Sequence, residues 1–440
     1  MTTSTLAPTN AAPTLANLRA QLPDPRIALT QLFPLLDHPL YGSLASFSES
    51  PYLLPAPLAD FTQEHDFADV TQLQICPSCF FNTSGTTSRS KQIPYTDNDL
   101  DRQRLHEAVA LQKLGLSPGM GVISLGAPLP SISGWAIVNG CETAGANVLN
   151  TSQIDYEDVI TRGQQAKANV VIGTPLVMQE IGHALADEFG PLTTLFPNLD
   201  MAIIFGDVLP DAMRLAIQKQ WGFKRVYSLY GTVEADVVAT ECPQVQGQME
   251  LMHERLIFEL IPEQELTRER NEPGYVGKAI DLADAPNGVI GEILLSDLDR
   301  DVLPLIRYRI GDVVQVHRDT GVHNLEYPTI SVLGRSKNTV LLARQPLYEM
   351  QLADAIQTGF GNGINDWRVV QTQAAPARYT LQLAGAANPD LLAPFWDKLI
   401  RLQPKLDGVF FADCFDVEWV TDIRHDSTQK DAKTNRIQLI

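Results

Sequence analysis

Cysteine is scarce in this chain, with five residues, at 76, 79, 141, 242 and 414, among 440. An odd and scattered set excludes a disulfide framework and fits a reducing compartment. Cys76 and Cys79 have C-x-x-C spacing, yet no second ligand pair lies near them in sequence. Zinc would require Cys242 and His253 to meet them in space, and two half-buried thiols ahead of a strand are the simpler reading. Long hydrophobic runs are also missing. The longest, at 169–178 and 201–205, contain small or polar breaks and are too short for a bilayer span, so no membrane partner is expected. Cations are in deficit, 33 Lys and Arg against 52 Asp and Glu, for a net charge of −19. That balance argues against nucleic acid or an anionic membrane as the main partner, but it leaves room for a local phosphate site. No G-x-x-x-x-G-K-[ST] string occurs, which excludes a Walker loop. Residues 1–18 lack the basic start and apolar core of a secretory signal. Rich in Thr, Ala and Pro, they read as a disordered tail. The expected location is the cytoplasm, although low acidity and Arg19 leave a transit-peptide reading open.

What is present describes an ordinary globular chain, 44% hydrophobic and 19% charged, long enough for two or three domains. From about 97 to 238 helical periods alternate with short β-rich runs. Strands are expected at 121–127, 169–173, 201–206 and 225–230, and helices at 96–114, 133–146, 156–168, 175–188 and 210–221. Apolar strands joined by helices imply an α/β fold with a largely parallel sheet covered on both faces, whose ligands gather beyond the carboxyl ends of the strands. After 241 the pattern turns to short β segments at 256–261, 274–277, 291–295, 313–317 and 329–333, a small antiparallel or barrel-like subdomain. Beyond 335 a compact β/α unit is expected, with helices at 347–358 and 389–402 and strands at 367–372, 379–384 and 415–420. The glycines at 359, 361 and 363 follow a helix rather than a strand and read as a helix terminator.

Five segments carry chemistry. The first is Thr83-Ser84-Gly85-Thr86-Thr87, followed by Lys91. Small hydroxyls and a side-chain-free position let a loop wrap phosphate oxygens, and the cation offsets their charge. Taken alone the segment could equally be a solvated turn. The second, Gly206-Asp207, ends a buried strand where a flat base could lie against the backbone. The third, Tyr230-Gly231-Thr232-Val233-Glu234, offers an aromatic face, a close-approach glycine and a carboxylate for magnesium. Each of these two also reads as strand-end turn chemistry. The fourth runs from Pro304 to Asp312 and sets Arg307, Arg309 and Asp312 around Gly311, with Asp312 able to accept both hydroxyls of a ribose. The fifth, Gly334-Arg335-Ser336-Lys337-Asn338, lies where the second domain begins.

In this order the segments resemble the adenylate-forming superfamily of acyl-CoA synthetases, adenylation domains and luciferases, which make an acyl-AMP from ATP and a carboxylic acid. The 304–312 string and the stretch from Thr240 through Cys242 to His253 are most similar to the short phenylacetate–CoA ligase-like branch. The resemblance covers residues from about 80 to the C-terminus. It implies a large N-terminal domain, 19–335, with its β-rich subdomain at about 242–335, joined by a hinge to a small mobile α+β domain, 336–440.

Carried over residue by residue, the resemblance implies that Thr83, Ser84, Gly85, Thr86, Thr87 and Lys91 hold the ATP phosphates. Gly206, Asp207, Tyr230 and Gly231 frame the adenine, Asp312 and Arg335 hold the ribose, and Glu234 binds Mg2+. The family ends in a Gly-Lys-x-x-Arg whose lysine enters the site during adenylation. Here it reads Ala432-Lys433-Thr434-Asn435-Arg436, making Lys433 catalytic beside Lys91 and Glu234, with Lys337 as the hinge.

The sequence departs from the family pattern at Ser88, Ser90, Val233 and Ala432. Where Val233 replaces a hydroxyl, either Thr232 is the substitute or the contact is lost. Trp135, Phe205 and Leu229 are candidate walls of the acid pocket, although Trp135 reads equally as plain core. No acidic residue matches the amino-group binder of amino-acid-activating relatives, so an aromatic acid without an α-amine is the expected substrate. CoA is the expected acceptor. A phosphopantetheine thiol on a carrier protein, an amine, or a non-catalytic nucleotide-binding role remain as alternatives.

Overall fold

The alternation of apolar strands with helices, expected from residue 97 onward, is what the computed structural model contains. The structure describes residues 13–22, 24–25, 29, 40–41, 46–64, 77–83, 91–126, 129, 131–150, 155–318, 327–361, 364–374, 376–386, 388–409, 415–421, 423 and 436–439. Of the candidate site residues, Ser84, Gly85, Thr86, Thr87 and Lys433 lie outside them, as do Cys76 and Cys414.

The first hairpin pairs β1 (Cys79–Asn82) antiparallel with β2 (Gln92–Tyr95), Asn82 opposite Gln92. The helix Asp97–Lys113 follows, started by a capping box in which Thr96 and Asp99 exchange hydrogen bonds with each other's backbone. Next come β3 (Gly121–Ser124), β4 (Asn147–Asn150), β5 (Ala168–Gly173), β6 (Met201–Phe205) and β7 (Arg225–Thr232). The helices Ile132–Thr143, Tyr156–Gln165, Pro175–Phe189 and Asp211–Trp221 alternate with them. These five strands are parallel, in the order β4-β3-β5-β6-β7. β3 is buried along its whole length and β5 and β6 nearly so, because helices cover both faces. Leu111 and Ile137 pack on one side, and Met178, Leu185 and Ile217 on the other. The edge strand β4 was not anticipated; at four residues, with Asn at both ends, it carries too little pattern to stand out.

From β8 (Asp236–Glu241) the neighbours run antiparallel. β9 (Met249–Leu251), β10 (Ile257–Pro262), β11 (Ile280–Asp281), β12 (Ile290–Asp297), β13 (Leu305–His317) and β14 (Thr329–Arg335) complete the order β11-β10-β12-β13-β14-β9-β8-β7. The β-rich segment is therefore antiparallel as expected, and its hydrogen bonding runs on through β8 into the parallel strands, giving one 12-stranded sheet. The strand expected at 274–277 is irregular. There the Gly277 amide donates to Glu269 and the Tyr52 hydroxyl to the Gly277 carbonyl, at 2.7 and 2.8 Å, and these contacts take the place of ladder bonds. The tail reading fails for residues 15–18, since Leu15–Arg19 is a short helix that buries Leu18 against the helix Asp97–Lys113.

After Arg335 a 3-10 turn, Ser336–Asn338, leads to β15 (Val340–Leu342) and β16 (Gln345–Leu347), then the helix Glu349–Phe360. β17 (Ile364–Gln373), β18 (Arg378–Gly385), the helix Leu392–Leu402, β19 (Phe415–Val420) and β20 (Ile437–Gln438) complete the chain. Val340, Leu352, Val369, Leu381, Phe395 and Ile437 share one apolar cluster around the sheet β19-β18-β17-β20. No helix among the described residues is long and apolar enough to cross a membrane.

One buried acid sits between the layers. Glu107 is 4% exposed, pressed so close to Gly140 that a Cβ there would lie 2.3 Å from its Cγ. Burial, and next Asp236, push its carboxyl up to about 8. A carboxyl raised in the fold contributes stability below its ordinary value that is lost as pH rises through the raised one. Glu107→Gln should accordingly match wild type near pH 5 and be the more stable form at pH 9, by about 4 kcal/mol. Unfolding midpoints across that range measure it, and a constant difference would contradict it.

Candidate functional site

Strand register builds the site. Phe205 pairs with Leu229, so the next residues, Gly206-Asp207 and Tyr230-Gly231, emerge side by side at the carboxyl ends of β6 and β7. Asp312 of β13 pairs with Arg335 of β14. These residues line a cleft of about 200 Å³ together with Leu229, Lys337 and Glu349. The Tyr230 hydroxyl donates to Asp312 Oδ2, and Arg335 Nε lies 2.9 Å from Asp312 Oδ1. Each carboxylate oxygen keeps a further lone pair. Burial, then the Asp312 charge, raise the Tyr230 phenol far above its ordinary value, so Tyr230 remains a donor. Asp312 chiefly, against the opposing effect of burial, holds Arg335 charged.

A second group lies at the base of the first hairpin. The Thr83 amide donates to the Lys91 carbonyl at 2.9 Å, and the Lys91 amide to Thr83 Oγ1 at 2.9 Å. The two ends of the hydroxyl-rich segment are thus clasped together. Lys91 Nζ stands 3.0 Å from Glu234 Oε1, which also accepts from the Tyr308 hydroxyl at 2.9 Å. Burial acts to raise the Glu234 carboxyl. Lys91 beside it, with Tyr308, outweighs that and holds it below the ordinary range. Among the described residues no three His, Cys, Asp or Glu side chains form a metal cage, which leaves the C-x-x-C zinc idea without support there.

Several candidates take other roles. The 304–312 string lies within one long strand rather than at a strand end, and alternation separates its residues. Tyr308 faces Glu234 and Asp312 faces Tyr230. Arg307 instead pairs with Glu259 at 2.7 and 2.9 Å, and Arg309 with Glu292 at 2.7 and 2.8 Å and with Glu269. Both arginines are structural. Thr232, beside Val233, also has a local role: its Oγ1 accepts from the Ala235 amide at 3.0 Å and holds the β7–β8 turn, with its hydroxyl hydrogen still available to donate. The reason for glycine at 231 is internal: a Cβ there would lie 2.7 Å from the Asp236 carbonyl oxygen. Of the three acid-pocket candidates only Leu229 lines the cleft. Phe205 packs with it in the cluster over the parallel strands, whereas Trp135 sits against Phe81 (6.0 Å) and beneath Arg104 (5.3 Å).

Three features escaped the sequence reading. Tyr308 could have been found from the period-two pattern that puts it on the face of Asp312. Arg214 and Glu241 form a buried pair lining the cleft, at 2.8 and 3.0 Å. Glu241 also accepts from the Ser228 amide at 2.6 Å and the Gly247 amide at 2.7 Å, which locks β7, β8 and the turn after β8. Glu349 had no signal at all. At the C-terminus, Arg436 is anchored over Trp367 (5.5 Å), and its carbonyl accepts from the Val369 amide at 2.8 Å. Lys337 lines the cleft, its ammonium pushed down by burial and by Arg335.

No family model matches the sequence. Phenylacetate-coenzyme A ligase of Thermus thermophilus is 22% identical over 275 residues, 61% of this chain and 57% of that protein. The enzyme of the same name from Aromatoleum evansii is 25% identical over 279 residues, 62% and 58%. The chain thus spans under three-fifths of the length of these curated relatives. Among solved structures, 2-hydroxyisobutyryl-CoA ligase in the postadenylation state with 2-HIB-AMP superposes with a TM-score of 0.68 at 16% identity, over 97% of this chain and 88% of that one. ATP-bound MatB from Rhodopseudomonas palustris gives 0.56 at 16% identity, over 80% and 65%. At such identities the structural likeness is one of fold.

The Lys91–Glu234 pair can be tested on the folded protein. A carboxyl held below its ordinary value contributes stability above that value, lost as pH falls through the lowered one. Lys91→Met strands the buried Glu234 carboxylate, so it should cost about 3 kcal/mol at pH 7, with the deficit shrinking toward pH 4. Chemical unfolding at both pH values checks this, and equal stability at pH 7 would contradict it.

Proposed function

We propose that the chain, similar in sequence to phenylacetate-coenzyme A ligases and in fold to acyl-CoA ligases, activates a carboxylic acid as an acyl-adenylate and passes the acyl group to the thiol of CoA, with release of AMP. The observation that carries this reading is the Tyr230–Asp312–Arg335 arrangement in the cleft, beside the strand ends at Gly206-Asp207. A carboxylate pinned by a phenol and a guanidinium, with lone pairs left over, is suited to take the paired hydroxyls of a ribose. The fused parallel and antiparallel sheet sets this acceptor at the carboxyl ends of β6 and β7, where ligands of such sheets bind.

In the proposed reaction an oxygen of the substrate carboxylate attacks the α-phosphorus of ATP, and the bond to the β-phosphate oxygen breaks, releasing pyrophosphate. The protein's part is to position the two anions and to offset their charge. Asp312 and Arg335 orient the nucleoside. Lys91, clasped to Thr83 at the mouth of the 84–90 segment, is placed to move from Glu234 to a phosphate oxygen. Glu234 is the residue that would hold Mg2+, which would neutralise phosphate charge. A lone carboxylate fits an ion whose other ligands are phosphate and water oxygens. Lys433, three residues ahead of the anchored Arg436, is the proposed catalytic lysine, and the 336–440 unit turning about Lys337 is the proposed device for exchanging it against the thiol. The preferred acid is aromatic and lacks an α-amine.

Carboxylate-dependent ATP–pyrophosphate exchange across aryl, fatty and amino acids tests the reading, with aryl acids expected to support it. ATP binding without exchange on any acid would overturn it in favour of a nucleotide-binding protein. Supplying CoA, a phosphopantetheinylated carrier or amines to the active enzyme identifies the acceptor. Lys433→Ala should lower exchange by at least about a hundredfold while sparing thioester formation from a preformed adenylate. Equal losses in both half-reactions would refute its assignment.

A further inference from the structure

Glu349 is a cleft carboxylate that the proposed reaction does not use. It opens the helix Glu349–Phe360, directly after Tyr348, whose hydroxyl donates to Glu263 at 2.7 Å and points that neighbour away from the cleft. Glu349 turns inward. It is 8% exposed and lines the cleft beside Asp207 and Arg335, yet its Oε1 has no hydrogen-bond partner among the described residues. The close approach is built into β14. Gly334 has φ +127°, and a Cβ there would sit 3.0 Å from the Glu349 Cβ, so only glycine lets the helix end come this near. A buried, unpaired carboxyl oxygen carries a desolvation cost with no return inside the protein itself.

Three charged groups face it from the elements packed around it: Asp207 after β6, Arg335 at the end of β14, and Arg436 before β20. Burial first, and then Asp207, raise the carboxyl to about 7 against the opposing pull of Arg436 and Arg335. It is therefore largely neutral below that pH, and a neutral carboxylic acid both donates and accepts. The six-amino edge of adenine offers one donor beside one acceptor, the complementary pair. A carboxylate can only accept, and it adds negative charge where a polyanion must bind.

We propose that Glu349 is a nucleotide-recognition residue, hydrogen-bonding the purine edge of ATP in the cleft and so tying the C-terminal unit to an occupied nucleotide site. This rests on the reading of the cleft as an ATP site. The interaction requires the helix Glu349–Phe360 to be docked as seen here. Nucleotide occupancy therefore favours that docking, and undocking withdraws one of the base's partners.

The test is calorimetric ATP binding to the full chain from pH 6 to 8.5, for wild type, Glu349→Gln and Glu349→Ala. Glutamine keeps one donor and one acceptor and does not titrate. Relative to Glu349→Gln, wild-type affinity should be unchanged at pH 6 and fall about tenfold by pH 8.5. The titration of the ATP phosphates is common to both proteins and cancels. Glu349→Ala should bind about tenfold more weakly than Glu349→Gln at every pH. Its deficit should shrink with purine riboside triphosphate, which lacks the amino group. Thermal unfolding of each variant confirms that it is folded. Parallel pH profiles for wild type and Glu349→Gln, with Glu349→Ala unimpaired, would reduce Glu349 to a packing residue and overturn the proposal while leaving the ATP site standing. A wild-type chain that binds no ATP would instead overturn the reading of the cleft, and this inference with it.

Discussion

Asp312 is where three parts of the chain meet. It sits on β13 of the antiparallel strands, opposite Arg335, the last residue of β14 before the chain enters the C-terminal unit. Across the cleft its other oxygen is held by Tyr230, from the last of the parallel strands. A one-residue slip between β13 and β14 would turn Asp312 away and bring an apolar neighbour into its place. It would also reverse Tyr308 and the two arginines that flank it. The register is defended accordingly. On the opposite face, Arg307 and Arg309 hold Glu259, Glu269 and Glu292 of neighbouring elements, and Arg307 also donates to the Ser48 and Ser50 carbonyls at 2.6 and 2.9 Å. These pairs bring little net stability once desolvation is counted. Their value lies in allowing a single pairing of strands.

The same economy appears deeper in the fold. Asp236 has φ +60°, a conformation that side chains avoid, at the start of β8 just past the β7 turn. Its carboxylate is fixed from two sides, by Arg255 at 2.7 Å and by the Tyr95 hydroxyl at 2.7 Å. Arg255 reaches on to Asp297 at 2.6 Å. Tyr95 belongs to the strand that begins just after Lys91, so this chain of contacts ties the first hairpin to the turn carrying Glu234. The strain at Asp236 is held by a fully buried network, and the network places Lys91 and Glu234 against each other.

These arrangements mark the limit of what the sequence could reveal. Strand and helix order was legible because period-two and helical patterns are local, and Asp312, Arg335, Tyr230 and Gly206-Asp207 stood out because each closes an apolar strand or abuts a glycine. The 304–312 string misled on its arginines. Clustering in sequence was read as clustering in space, although a strand sends successive side chains to opposite faces. The acid-pocket walls are hard to read from sequence for a related reason: Trp135 and Leu229 lie in different apolar clusters, and which cluster a residue joins is decided by tertiary packing. Glu349 was invisible because neither its helix nor its neighbours in the chain mark it. Only the docking of that helix on Gly334 turns an unremarkable helix-start acid into a cleft residue.

Charge accounting explains how so acidic a chain could admit a polyanion. At net −19, a cleft edged by Asp207, Glu241, Asp312 and Glu349, with Glu234 behind it, would be expected to repel phosphate. Three of these carboxylates face a cation: Glu241 faces Arg214, Asp312 faces Arg335, and Glu234 faces Lys91. Asp207 turns one oxygen onto the Val208 amide, 2.9 Å away. Glu349 has no such dedicated cation, and burial beside Asp207 favours its protonated form instead. Pairing is permanent, whereas protonation responds to what enters the cleft. A polyanion arriving next to Glu349 would raise its affinity for a proton further, so ligand and proton bind together. On the proposed reading, the charge state of this carboxyl would thus be set jointly by the nucleotide and by the docking of the C-terminal helix.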